Sequence, residues 1–181
     1  MAVINWADKA NFLGVTICRG KNFTCCWRET KNKFFSNANT ILGRLGSSAA
    51  ENVLLKLVDS QGLQSLLYGT TAFALSKYDL LSLDHVYDSV YAKIFNVKST
   101  DIIRQCQYYS GHLSFTLTHD LRRYNFLKKL VATNNLCKGR KLDENDFRDF
   151  SNMQIKYGFT CKDSVQAVRS KMWIYFSNTI T

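Results

Sequence analysis

The absence of proline is the feature that most restricts the fold of this chain, since none occurs among its 181 residues. Average usage of about 5% would give roughly nine prolines in a chain of this length. Proline breaks helices and is common in loops, so a chain without it favours helices joined by short connections. The hydrophobic fraction of 46% suffices for a buried core and excludes a wholly disordered or low-complexity chain.

The sequence divides into an N-terminal part that favours strands and a longer part that favours helices. Residues 12–18 and 23–27 are rich in β-formers and flank the turn signal Arg19-Gly20-Lys21-Asn22, which predicts a β-hairpin. From Arg28 onward, apolar residues recur every three or four positions, as in amphipathic helices. The predicted fold class is therefore mainly α, with an N-terminal β-hairpin followed by a helical bundle.

End signals and apolar spacing locate the predicted helices. The first runs from Arg28 to Gly46, and Ser48-Ala49-Ala50-Glu51 and Ser76-Lys77-Tyr78-Asp79 resemble capping boxes that begin two more. After a break at Ser60-Gln61-Gly62, further helices are predicted over 63–75, 101–109, 118–133, 146–156 and 164–176. The predicted organisation is a hairpin over 1–28, a helical bundle over 29–110 and a basic helical extension over 111–181.

The most regular helix follows Ser76. It carries Leu83, Tyr87, Val90 and Ile94 on one face, which we predict to be buried. The residues off this face are predicted to be mostly solvated: Ser82, Asp84, His85, Asp88, Ser89 and Lys93.

The net charge of +10 is unevenly distributed. Residues 1–95 carry ten Lys/Arg and seven Asp/Glu, a net +3, and residues 96–181 carry fourteen and seven, a net +7. Such a surplus favours a polyanionic partner, nucleic acid first and an anionic membrane surface second, and the ordinary alternative is a solvated surface that maintains solubility. We predict nucleic acid and no membrane partner.

Basic residues concentrate in two stretches. The first contains Arg19, Lys21, Arg28, Lys31 and Lys33, and the second contains Arg122, Arg123, Lys128, Lys129, Lys138, Arg140 and Lys141. Within the first predicted helix, Lys33, Asn37, Thr40 and Arg44 recur at helical spacing on the polar face. Such side chains bind phosphates by counterion release, which makes binding salt-sensitive and largely independent of sequence.

No arrangement of residues indicates an enzyme or a metal site. The six cysteines form no C-x-x-C pair, and we interpret them as reduced thiols of a nuclear or cytoplasmic protein. The spacings among Cys106, His112, His119 and Cys137 match no zinc site, and the acidic residues 143–149 are interpreted as a solvated helix start. There is neither a phosphate-binding loop nor a nucleophile elbow, so we predict no catalytic residues, no metal and no cofactor.

Several short motifs occur in a recognisable order. Asn11-Phe12-Leu13-Gly14-Val15 follows Trp6, residues 33–42 read KFFxxANxIL, Leu66-Leu67-Tyr68-Gly69 precedes the Leu80…Leu83 helix, and residues 102–111 and 123–127 read IIxxCQxYxG and RYxFL. This order resembles the reverse transcriptases of non-LTR retrotransposons (LINE elements), particularly the jockey-like ones, over about residues 6–130. The resemblance implies that Phe12, Leu13 and Gly14 correspond to the primer grip and that residues 33–42 belong to the first thumb helix.

The resemblance also implies what the chain lacks. The catalytic aspartates of that family lie upstream on palm strands, in an aromatic-x-Asp-Asp motif and a separate Asp, and this chain has no Asp-Asp pair. It is expected to be the thumb and C-terminal part of such a polymerase, without the fingers, most of the palm and the endonuclease. It would bind template–primer but not polymerise alone, and Mg²⁺ is expected only in an intact enzyme with a palm.

The predicted partner is an RNA–DNA or DNA duplex. The predicted nucleic-acid-binding residues are Phe12, Leu13, Gly14, Arg19, Lys21, Arg28, Lys31, Lys33, Asn37, Thr40, Arg44, Arg122, Arg123 and Lys129. The alternative is a helical protein-interaction module derived from a retrotransposon, with no nucleic-acid role. Convergence of the basic groups on one face would distinguish the first hypothesis from the second.

Overall fold

The computed structural model describes residues 7–20, 24–46, 48–72, 75–132 and 144–180. It is mainly helical, with a small three-stranded antiparallel sheet near the N-terminus, which confirms the predicted fold class at this level. The chain divides into two compact units, residues 1–69 and 70–181. The boundaries predicted from sequence lie near residues 28 and 110 instead, because the end of the hairpin and the start of the basic extension are visible in the sequence and a change of packing partners is not.

The sheet has the order β1 (Lys9–Phe12), β2 (Val15–Cys18) and β3 (Thr24–Cys26). Phe12 pairs with Val15, and Thr16 pairs with Cys26. The prediction of one strand over 12–18 was wrong, because a turn at Leu13 and Gly14 interrupts it. The Lys-Ala-Asn-Phe segment of β1 lacks β-branched residues, so its composition did not indicate a strand.

Three helices complete the first unit: α1 (Arg28–Leu45), α2 (Glu51–Leu57) and α3 (Gln64–Leu67). The α1 helix agrees with its prediction and buries the stripe of Phe34, Ala38 and Ile41. The predicted capping box at Ser48 is wrong, because the residue before α2 is Ala50 and no side chain caps that helix.

The predicted break at residues 60–62 is also wrong, since a π-helical turn over Val58–Leu63 joins α2 to α3. Gly62 allows this turn to lie against α1, because a Cβ there would lie 3.1 Å from Phe34 Cε2. The predicted helix over 63–75 is shorter than expected, because α3 ends at Leu67 and Gly69 adopts a positive φ of 75°.

The second unit contains α4 (Lys77–Phe95), α5 (Thr100–Tyr109), α6 (Phe115–Ala132), α7 (Glu144–Tyr157) and α8 (Val165–Ile180). Ser76 is confirmed as the residue that caps this helix, because the Asp79 backbone N–H donates to Ser76 Oγ at 3.1 Å. Helix α6 packs against α4, α7 and α8. Most of this core comes from α6, α7 and α8, and it includes Tyr124, Leu127, Phe150, Met172 and Phe176.

The face of α4 predicted to be buried is confirmed for Leu83, Tyr87 and Val90, while Ile94 is half-buried. His85 is exposed, as predicted. The prediction that Asp84 and Asp88 are solvated was wrong, because each is only 6% exposed.

Polar partners from α5 and α6 explain the burial of these two carboxylates. Arg104 donates to Asp88 Oδ1 at 2.9 Å and also to Asp84 Oδ2. Gln107 donates to Asp88 Oδ1 at 2.8 Å, and the Thr116 backbone N–H donates to Asp84 Oδ1 at 3.1 Å. Burial and the neighbouring charge of Asp84 raise the pKa of Asp88 to about 6, although Arg104 and Gln107 oppose the shift.

This pKa shift predicts a pH dependence of stability that Asp88→Asn removes. The folded chain binds the Asp88 proton more tightly than the unfolded chain, so this stabilisation is fully present below the ordinary value of 3.8 and is lost as the pH rises through about 6. Between pH 7.5 and pH 4, the wild type should gain about 2 kcal/mol relative to Asp88→Asn. Urea denaturation of both proteins across this range measures the difference, and parallel pH curves would contradict the prediction.

Candidate nucleic-acid interface

Four polar side chains of α1 form one surface, here called the α1 polar face: Lys33, Asn37, Thr40 and Arg44. Their spacings of four, three and four residues keep them on one side of a helix with about 3.6 residues per turn. Lys33, Thr40 and Arg44 are exposed, and Asn37 is half-buried. Lys33 and Arg44 lie about 16 Å apart along the axis at 1.5 Å per residue. Because α1 buries its apolar stripe in the same unit, the two cations are carried by a rigid element.

The electrostatics of the α1 polar face favour an anion. Glu29, one turn before Lys33, is the only acidic residue of α1. Arg44 lies in the last turn, where a cation interacts favourably with the helix dipole. The Thr40 hydroxyl donates to the Ser36 carbonyl at 2.8 Å, so its oxygen remains available only as an acceptor. The donors of this face are therefore Lys33, Asn37 and Arg44.

The other predicted cations of α1 do not extend this face. Arg28 and Lys31 lie three residues apart and share a side of the helix. In the helical projection, the buried stripe of α1 separates Lys31 from Lys33. Arg28 and Lys31 therefore form a second basic face of α1 that is separate from the α1 polar face.

Arg19, in the predicted β2–β3 connection, lies next to an acidic residue. Arg19 lies 3.6 Å from the Asp8 carboxylate, and both side chains are largely exposed. Its charge is therefore partly compensated by Asp8. Lys21 lies outside the residues that the structure describes.

The motif Phe12-Leu13-Gly14 forms the turn between β1 and β2. Phe12 and Leu13 are 63% and 73% exposed, which is unusual for two adjacent large apolar side chains. Leu13 and Gly14 have positive φ values of 50° and 80°, the pattern of a type I′ hairpin turn. The turn therefore presents an apolar tip to solvent, next to the polar sheet edge of β1.

Tyr68 belongs to this site although it was not among the predicted binding residues. Its hydroxyl donates to the Leu13 carbonyl at 2.9 Å, across 55 residues of sequence. Tyr68 and Gly69 belong to the motif Leu66-Leu67-Tyr68-Gly69 that resembles the retrotransposon family. Nothing in the sequence indicated that Tyr68 contacts Leu13.

The basic residues predicted on α6 separate into two classes. Arg123 is 4% exposed, donates to the Thr71 carbonyl at 2.6 Å and forms an ion pair with Asp146. Its assignment to nucleic-acid binding is corrected, because this guanidinium connects α6 to the segment before α4 and to α7. Arg122 and Lys129 share another side of α6, where Lys129 is exposed and partial burial lowers the pKa of the Arg122 guanidinium. Residues 138–141 lie outside the described residues.

His119 is a buried residue of α6 that takes part in internal contacts. Its Nε2 lies 3.3 Å from the Thr70 carbonyl, and its Nδ1 lies 3.3 Å from Asp120 Oδ1. Asp120 also accepts a hydrogen bond from the Tyr157 hydroxyl at 2.5 Å. Burial opposes ionisation of Asp120, but these hydrogen bonds and the charge of Lys156 outweigh it and lower its pKa. Across the described ranges, no three His, Cys, Asp or Glu side chains are arranged to hold a metal ion.

Comparisons with known proteins give no relative with which this site can be compared. None of the helices within the described ranges is long and apolar enough to span a bilayer. No family model matches the chain, and no similar protein was found among the curated proteins or the solved structures.

Proposed function

We propose that this chain binds a template–primer duplex, RNA–DNA or DNA, through the α1 polar face and the β1–β2 turn. The supporting observation is that Lys33 and Arg44 lie on one exposed face of a rigid helix, about 16 Å apart. This distance exceeds the width of the minor groove, about 6 Å, so a single helix that lies along this groove could contact phosphates of both strands. The β1–β2 turn belongs to the same compact unit and carries the motif that resembles a primer grip.

In this proposal the chain is a thumb-like fragment of a LINE-type RNA-directed DNA polymerase that lacks the palm aspartates. Phosphate and sugar contacts suit such a role, because a polymerase must accept any sequence. Polymerisation needs carboxylates that hold two metal ions, and this chain has no Asp-Asp pair. We therefore propose a binding protein of the nucleus or cytoplasm that has no enzymatic activity alone.

A salt titration tests the proposal. Purified wild-type chain is expected to bind labelled RNA–DNA and DNA duplexes of unrelated sequence with similar affinities, on the order of micromolar at low salt. A plot of log affinity against log salt concentration should be linear, because each neutralised phosphate releases counterions.

The double variant Lys33→Ala/Arg44→Ala should flatten this plot. On B-DNA each lost phosphate contact lowers the slope by roughly 0.9, so the expected change is nearly two units. The matched control is Lys56→Ala/Lys98→Ala, which removes two exposed cations from other elements and should leave the slope unchanged. Circular dichroism checks that both variants keep their helices. An unchanged slope in the first variant would eliminate this face as the binding site.

The second candidate function is a helical protein-interaction module without a nucleic-acid role. Ile102 and Tyr109 favour it, since they lie seven residues apart on one side of α5 and are 45% and 82% exposed. Exposed apolar side chains on one helix face are typical of protein contacts. Failure of the wild type to bind any duplex at 50 mM salt would favour this module.

A further inference from the structure

Leu13 occupies a conformation that leucine normally avoids. Its φ of 50° lies in the left-handed region, which in type I′ turns favours Asn, Asp or Gly at this position. The same residue exposes 73% of a large apolar side chain. Both features are unfavourable for the isolated chain, and an asparagine would avoid both. A strained residue of this kind persists only where its surroundings hold it in place.

The surroundings that hold Leu13 come from the segment after α3. The Tyr68 hydroxyl donates to the Leu13 carbonyl at 2.9 Å. A Cβ at Gly14 would lie 3.7 Å from Tyr68 Cε1, so the tyrosine ring lies against the backbone of the turn. The chain after Tyr68 passes even closer to β2, because a Cβ at Gly69 would lie 2.8 Å from Val15 Cγ2.

Gly69 makes this approach possible in two ways. Its φ of 75° belongs to the region that favours glycine, and any side chain would collide with Val15. Val15 itself is buried, so it cannot move aside easily. Tyr68 is therefore fixed by the backbone that follows it, and it contacts the turn at both central residues.

We infer that Tyr68 is a positioning residue that holds the β1–β2 turn in its strained conformation and so presents Phe12 and Leu13 to the duplex. This inference rests on the proposed function. The apolar pair then contacts sugar rings or base edges, while the phosphate contacts belong to the α1 polar face. Loss of the Tyr68 hydroxyl should consequently weaken binding without changing the number of phosphates neutralised.

Tyr68→Phe tests the inference because it removes the hydroxyl and keeps the ring. Net hydrogen-bond contributions of the usual size predict that amide hydrogen exchange at Val15 becomes about two- to ten-fold faster. Duplex affinity should fall by about the same factor, with an unchanged salt slope. The matched control is Tyr78→Phe, since Tyr78 is 80% exposed at the start of α4, and it should change neither quantity.

Leu13→Asn tests the opposite change, because it relieves the strain in the turn and removes the apolar side chain. Asn-Gly is the preferred pair for a type I′ turn, so exchange at Val15 should become slower. Duplex affinity should nevertheless fall, because the apolar tip is removed. If the motif had only a structural role, stabilising the turn would not weaken duplex binding. A more stable turn with weaker binding therefore supports a direct contact.

Four outcomes would overturn the inference. Unchanged exchange at Val15 in Tyr68→Phe would show that the hydroxyl does not hold the turn. Faster exchange with unchanged affinity would show that the turn is held but not for binding, and a changed salt slope would make Tyr68 part of the phosphate contact. If the wild type binds no duplex, the proposed function fails, and the positioning role of Tyr68 in binding fails with it. The exchange data still show whether Tyr68 holds the turn.

Discussion

Replacement of Arg104 by methionine is expected to destabilise the chain by about 3–5 kcal/mol at pH 7, the usual cost of removing one partner from a buried ion pair. Arg104 contacts both Asp84 and Asp88, which are 6% exposed, so its removal would leave two buried carboxylates facing each other. Methionine retains much of the aliphatic stem, which limits the loss of packing. Urea denaturation of variant and wild type measures the difference.

The pH dependence of this effect identifies its cause. Burial and Asp84 already raise the pKa of Asp88 to about 6, and removal of the guanidinium removes a charge that lowers it. Protonation should therefore relieve the repulsion, so the destabilisation by Arg104→Met should be smaller at pH 5 than at pH 7. The control is Arg148→Met on α7, an exposed position where the expected change is within about 0.5 kcal/mol. An effect of equal size at both pH values would indicate lost packing instead.

Leu83→Ala is expected to lower the free energy of unfolding by about 2–5 kcal/mol. Leu83 is fully buried on α4, so truncation removes apolar contacts and leaves a cavity in a close-packed interior. Leu81→Ala is the matched control, since Leu81 lies two positions away on the same helix and is 67% exposed. The control should change stability by less than about 0.5 kcal/mol.

Denaturant melts followed by far-ultraviolet circular dichroism compare the three proteins. Equal effects of Leu81→Ala and Leu83→Ala would contradict the assigned core face of α4. A loss below about 0.5 kcal/mol for Leu83→Ala would have the same consequence, because that is the size of a typical surface substitution.

The prediction of α1 and α4 succeeded for local reasons. Apolar spacing of three and four residues defines a helix face whatever it packs against, and Ser76 caps α4 through a hydrogen bond to a residue three positions away. The same local spacing places the four residues of the α1 polar face on one side of their helix. Helical periodicity also showed where the C-terminal helices lie, although α6 begins three residues before its predicted start.

The predictions that failed depended on contacts between distant residues. Asp84 and Asp88 were predicted to be solvated because the sequence of α4 does not show that Arg104 and Gln107 lie opposite them. Arg123 was predicted to be a surface cation for the same reason, since its partners Thr71 and Asp146 are 52 and 23 residues away in the sequence. Charged residues enter a core only with partners, and sequence alone does not give those partners.

The sequence by itself determined the mainly helical class, the approximate positions of β2 and β3 and the cationic face of α1. The strands depend on local enrichment in β-forming residues, and the helices depend on an apolar repeat of three to four residues that helix geometry imposes locally. Only the tertiary structure decided the division at Gly69, the turn inside the predicted first strand and the contact of Tyr68 with Leu13. These depend on which segments meet in space, and that choice is made by the packing of the whole unit.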